Sequence, residues 1–152
     1  MAYTGEEART KLLADMAEAA AQLGFALACV AEAYDQLDER TADVLEAQLF
    51  RPLRGAYGRL IRAHAEFSAR HAFPEVSFEQ PSPGLHSRDP GTYIERAVEA
   101  VERADHGLAE LQDSMLPVEV GDQELRAGLS GTRELIALVP GRGRQLLRVI
   151  GR

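Results

Sequence analysis

Histidines, clustered arginines and inward-leaning carboxylates are the residues of this chain that could bind or transform something, and their spacing narrows the chemistry. His64 and His71 fall in line with Leu60 and Phe67 on the apolar side of one helical segment, at ~100° per residue. A buried imidazole needs a polar partner, so both positions are candidate site residues. Their separation does not favour a shared metal, because seven residues on a helix is roughly 10 Å along the axis. The spacings that put two ligands on one helix face, His-x-x-x-His and Glu-x-x-His, do not occur. The single cysteine, Cys29, excludes an internal disulfide and a cysteine-based zinc site, and reads as a small packing residue. The expectation is therefore two polar groups on an apolar face, with no metal, no cofactor and no catalytic residue assigned.

Arg51, Arg54, Arg59, Arg62 and Arg70 lie opposite that stripe, with Gly55 and Gly58 among them. Guanidinium groups beside small residues suit a phosphate or another anion. Arg51, Arg54, Arg59 and Arg62 form the candidate anion-binding set, which Arg142, Arg144, Arg148 and Arg152 of the tail could extend. Two features argue against nucleic acid: no aromatic platform lies beside the arginines, and the net charge is −7. Acidic blocks over 1–50 and 89–125 offset the basic blocks over 51–73 and 140–152. The arginines are thus expected to pair with the acidic faces of the first and third helices, in the chain or across a dimer. Asp35 and Asp105 sit at stripe edges, where paired carboxylates could hold a cation or act as acid and base. Nothing in the sequence brings the two together.

These side chains need a frame, and the periodicity supplies one. Leu12, Met16, Ala20, Leu23, Leu27, Val30, Tyr34 and Leu37 repeat at helical spacing, which predicts a helix from Thr4 to Gln36. Thr4 followed by Glu7 reads as its capping box. A second helix is expected from Asp38–Thr41 to Phe73, through Leu45, Leu49, Leu53 and Leu60, with a kink near Leu49 imposed by Pro52. Residues 74–91 hold four prolines and no helical period, and read as a linker. A third helix is expected from Pro90 to Met115, ended by Pro117. A fourth runs from its N-cap Asp122 to Val139, stopped by Pro140-Gly141, and residues 142–150 could add a short basic helix. The fold expected is all-α: one domain over 1–152, an up-and-down four-helix bundle with two long and two shorter helices.

The start of the chain lacks a basic region followed by an apolar one, and no run of about 18 apolar residues is evident. No transmembrane segment and a cytoplasmic location are expected. On the first helix Phe25 points away from the main stripe, beside a strip of Ala14, Ala17, Ala21 and Ala28. Small residues allow close helix approach, and an aromatic can anchor a contact. Two long helices reaching past two short ones would also leave apolar surface uncovered. Both features point to a homodimer. The function expected is a non-enzymatic, self-associating interaction or scaffold domain. The alternatives are an anion-binding module on the arginine face, and a bundle metal protein or enzyme built on His64, His71, Asp35 and Asp105.

Overall fold

The computed structural model describes residues 4–151, and they form an all-α structure. Its elements are α1 (Gly5–Gln36), α2 (Glu39–Leu45), a π turn (Glu46–Phe50), α3 (Arg51–Arg70), α4 (Pro90–Asp113), α5 (Leu116–Glu119), α6 (Gln123–Ile136) and α7 (Val139–Ile150). Local chemistry explains most boundaries. The Thr4 hydroxyl accepts from the Glu7 N–H at 3.1 Å, and the Glu7 carboxylate accepts from the Thr4 N–H at 3.3 Å, the reciprocal box read from the sequence. Asp38 and Asp122 cap α2 and α6 by accepting from the N–H groups of Thr41 and Leu125. Beyond α3, Ala72 takes a left-handed φ of 59°, and the Phe73 N–H donates back to the Ser68 carbonyl at 2.8 Å. That bond closes the helix end and folds Phe73 back along α3.

Pro52 does not break the second long helix, which continues through the π turn. A proline at this position leaves the Gln48 carbonyl without its helical donor. The Arg51 N–H instead reaches back to Glu46, and Arg142 of α7 donates to Gln48 at 3.2 Å. The predicted distortion is present, and a residue far along the chain repairs the hydrogen bond that the proline removes.

The up-and-down four-helix topology is not what forms. Five helices have twelve residues or more, because Pro140 does not end the fourth. The break falls earlier, at Ala137–Leu138, and Pro140 sits in the first turn of α7, where a missing N–H costs nothing. The direction of the third long helix also differs from expectation. Residues 71–89 form a strap that runs the length of α1: Pro81 packs beside Gly24, the Pro83 carbonyl accepts from Cys29, and the Ser87 carbonyl accepts from Gln36. The chain therefore re-enters the bundle at the end where α3 began. α3 and α4 run the same way, and both are antiparallel to α1. α6 pairs antiparallel with α3 (Asp122 against Arg70, Leu135 against Gly55), and α7 pairs antiparallel with α4 (Gly143 against Val98, Leu147 against Gly91).

The surplus length expected of the first two helices is covered from within, because α7 continues past α6 and buries Val139 and Leu146. α1 packs against α3, α4 and the strap, so it is apolar on several sides. It does contain an 18-residue window of mean hydropathy 1.4, apolar and long enough to cross a bilayer, and 61% of that window is buried inside the bundle. The sequence reading missed this stretch because alanines, not large apolar residues, carry it.

Candidate functional site

The two histidines part company. His64 is 4% exposed and Ser68, one turn on, is 3% exposed. The His64 ring meets Phe78 of the strap edge-on, with centroids 5.2 Å apart. Burial holds His64 below the ordinary imidazole range, against a backbone hydrogen bond at Leu13 that favours the charged form. His64 and Ser68 lie at the floor of an open apolar groove of about 220 Å³ between α1, α3 and the start of the strap. Ala14 and Ala17 of the alanine strip border the same groove. Sequence reasoning found His64 and the alanines separately and did not single out Ser68. The available signal was its place one helical turn beyond His64.

His71 lies at the end of α3 in a charged cluster. Arg70 grips Asp122 with two hydrogen bonds of 2.8 and 2.9 Å and reaches Glu124 at 3.0 Å. The His71 imidazole stands 3.7 Å from Asp122 and its ring leans on Phe67. These side chains fasten α6 to α3 through the residue that also caps α6, which is the work of a structural strut.

The arginine face disperses. Arg54 stacks over Phe50 and lies 3.7 Å from Glu46, and Arg59 lies over Gly131, where a Cβ would sit. Arg51 and Arg62 are exposed and have no carboxylate partner among the described residues. Arg144 pairs with Glu102, and Arg152 lies outside the described residues. Of the pairings expected with the acidic faces of the first and third helices, only Arg144 with Glu102 of α4 forms among the described residues; Arg54 meets Glu46 on its own long helix and Arg70 meets Asp122 and Glu124 at the start of α6. Asp105 pairs with Arg133 of α6 at 2.8 Å, and Asp35 is exposed near the end of α1. No group of three or more His, Cys, Asp or Glu side chains converges as a metal site among the described residues.

The α1 face proposed for self-association is open only in part. Ala14 and Ala21 are exposed, Ala17 is half-buried, Phe25 packs against the chain's own core, and Ala28 is buried. Gly24, beside Phe25, accommodates Tyr57 and Pro81. Cys29 is buried under the strap, and desolvation pushes its thiol up to about 11 despite the opposing charge of Arg96.

A second exposed apolar surface lies at the far end of the bundle, around the π turn. Val44 is 45% exposed and Val149 is 62% exposed, and both border one concavity with Gln48, Arg142, Gln145 and Leu146. Glu39, Arg40 and Asp43 of α2 border the adjoining hollow, which shares Val44. Exposed Arg148 lies on α7 next to Val149. The periodicity placed Leu45 and Leu49 in the core but gave no reason to mark Val44, which lies off their stripe. Compared with known proteins, the chain matches no family model, no curated protein and no solved structure.

Proposed function

We propose that the chain is a non-enzymatic interaction domain that works as a homodimer, closed through the end of the bundle that surrounds the π turn. The observation that carries this reading is the composition of that face. Its centre is apolar, with Val44 and Val149 exposed beside one another. One flank is net acidic, from Glu39 and Asp43 of α2 against the single base Arg40. The other is basic, from Arg142 and Arg148 of α7. A patch with an apolar centre and opposite charges on its two sides is self-complementary: a two-fold rotation sets the acids of one copy against the bases of the other. The chemistry of the two flanks follows the charge blocks of the sequence, whose acidic stretch includes α2 and whose basic stretch includes α7.

The π turn contributes rigidity. Arg142 ties α7 to the Gln48 carbonyl, so the two flanks are held at a fixed separation before a partner arrives. Light scattering on the eluting protein at tens of micromolar tests the proposal. A dimer that Val149→Asp converts to monomer supports it, and a wild-type chain that stays monomeric across that range overturns it.

A further inference from the structure

The strap lies in the groove between α1 and α4 for only part of that groove's length. Where it does, three of its carbonyls at alternate positions face the two helices. Arg96 of α4 donates to Pro83 at 3.0 Å and to Leu85 at 2.8 Å, and Gln36 of α1 donates to Ser87 at 2.9 Å. Cys29 of α1 donates to the same Pro83 carbonyl at 3.6 Å. Alternate carbonyls on one side belong to an extended backbone, whose groups repeat every second residue.

Seven residues on from Arg96, and seven back from Cys29, a comparable pair stands with no strap above it. Seven residues is about two helical turns, so Arg103 projects from the same face of α4 as Arg96, and Gln22 from the same face of α1 as Cys29 and Gln36. The helices are antiparallel, so the two side chains meet: the Arg103 Nε donates to the Gln22 Oε1 at 3.2 Å. The terminal N–H groups of Arg103 and the amide N–H groups of Gln22 have no acceptor among the described residues. Both side chains border an open groove of about 440 Å³, with buried Ala19 and Leu111 beneath it beside Gly107. A Cβ at Gly107 would meet nothing within 4 Å, and glycine in a helix interior is unfavourable relative to alanine. Packing within the chain therefore gives no reason for glycine there. Carboxylates outnumber cations along the groove. Lys11 is spent on Asp15 at 3.0 Å, Glu110 faces exposed His106 at 2.9 Å, and Glu18 has no ion-pair partner among the described residues.

We propose that this open part of the groove docks an extended peptide segment of a partner protein, one that contains proline and a basic residue. Its carbonyls accept from Arg103 and Gln22, as the strap's accept from Arg96 and Gln36, and its basic side chain pairs with Glu18. A segment held through its carbonyls gains from proline, which has no N–H to leave unpaired and keeps the chain extended. The groove lies at the opposite end of α1 from the π turn, so the proposal holds whether or not the chain is a dimer.

The strap's own residues 81–88, made as a free peptide with blocked ends, serve as the probe, because they carry two prolines, an extended backbone and a terminal arginine. Titrated into the full chain and followed by amide chemical shifts, the peptide should perturb Ala19, Gln22, Gly107 and Leu111. Replacing its arginine with glutamate should weaken binding about threefold, the worth of one exposed ion pair, and Glu18→Gln should remove that difference. Arg103→Ala should weaken both peptides roughly tenfold, the loss of a charge-assisted hydrogen bond. Gly107→Leu favours the helix and fills the groove, so it should abolish binding while helical circular dichroism is retained. Absence of binding at millimolar peptide would overturn the proposal, as would binding that survives Gly107→Leu. So would shifts centred on Cys29 and Gln36, where the peptide would be displacing the strap. The same shifts appearing on concentrating the chain alone would make a second copy the occupant and overturn it too.

Discussion

Asp122 does two jobs at one point of the fold, and separating them gives a quantitative test. Its carboxylate caps α6 by accepting from the Leu125 N–H at 2.8 Å, and it pairs with Arg70 through two short bonds. Both sides of the pair are about one-third exposed, so solvent screening limits its worth to ~0.5 kcal/mol. Loss of an N-cap costs ~1 kcal/mol. Asp122→Ala removes both and should cost ~1.5 kcal/mol, whereas Asp122→Asn keeps the cap and should cost ~0.5 kcal/mol. For a domain of this size each kcal/mol shifts Tm by about 2–4 °C. Thermal melts at neutral pH should thus fall by about 3–6 °C for Ala and about 1–2 °C for Asn.

Acid supplies the second half of the test. Burial alone would push the Asp122 carboxyl up. The hydrogen bonds from Arg70 and Leu125, with the charges of Arg70 and His71, outweigh it and hold the group below the ordinary carboxylate range. The unfolded chain then takes up this proton first as pH falls. The group's stabilisation is complete above about pH 3.9, its unfolded value, and is lost as pH drops through the folded value. The gap between wild type and Asp122→Asn should therefore close on acidification. An Asn variant as unstable as Ala, or a gap that persists at about pH 2, would refute the division of roles.

Two other titrating groups give simpler expectations. His64 has its folded value depressed, so its neutral form stabilises the fold fully above about pH 6.5, and that contribution is lost as pH falls below it. Melting temperature should decline between about pH 7 and 5 in wild type, and His64→Gln should flatten the decline; an unchanged slope would show that His64 is not the group responsible. Cys29, with its thiol at about 11, should react with a disulfide reagent at mildly alkaline pH far more slowly in the folded chain than in denaturant. Rapid labelling in native buffer would contradict its burial beneath the strap.

What the sequence made legible was local. The Thr4–Glu7 box, the Asp122 cap and the start of α4 behind Pro90 each depend on a few neighbouring residues, and each stands where the pattern put it. The course of the strap was not legible. It is fixed by contacts such as Gly24 with Pro81 and Gln36 with Ser87, between residues more than 50 positions apart, and it carries no period of its own. That one segment reverses the direction of α4 and changes the topology. Pro140 misled because a proline just after a helix and a proline in the first turn of the next look alike in sequence. His64 could be marked as a polar residue on an apolar stripe, but whether an open groove or a core lay before it depended on Phe73 and the strap. Arg142 looked like tail charge, and its role follows from a carbonyl that Pro52 leaves free at Gln48.

The most direct test of the dimer is a charge exchange across its proposed two-fold axis. Asp43 and Arg148 are exposed, on opposite flanks, and neither forms an ion pair within the chain among the described residues. Sedimentation velocity should show a wild-type dimer, weakened in Asp43→Arg alone and in Arg148→Asp alone, where like charges meet. The doubly exchanged chain should regain the dimer. A wild-type monomer, or a double variant no better associated than either single one, would contradict closure through this face.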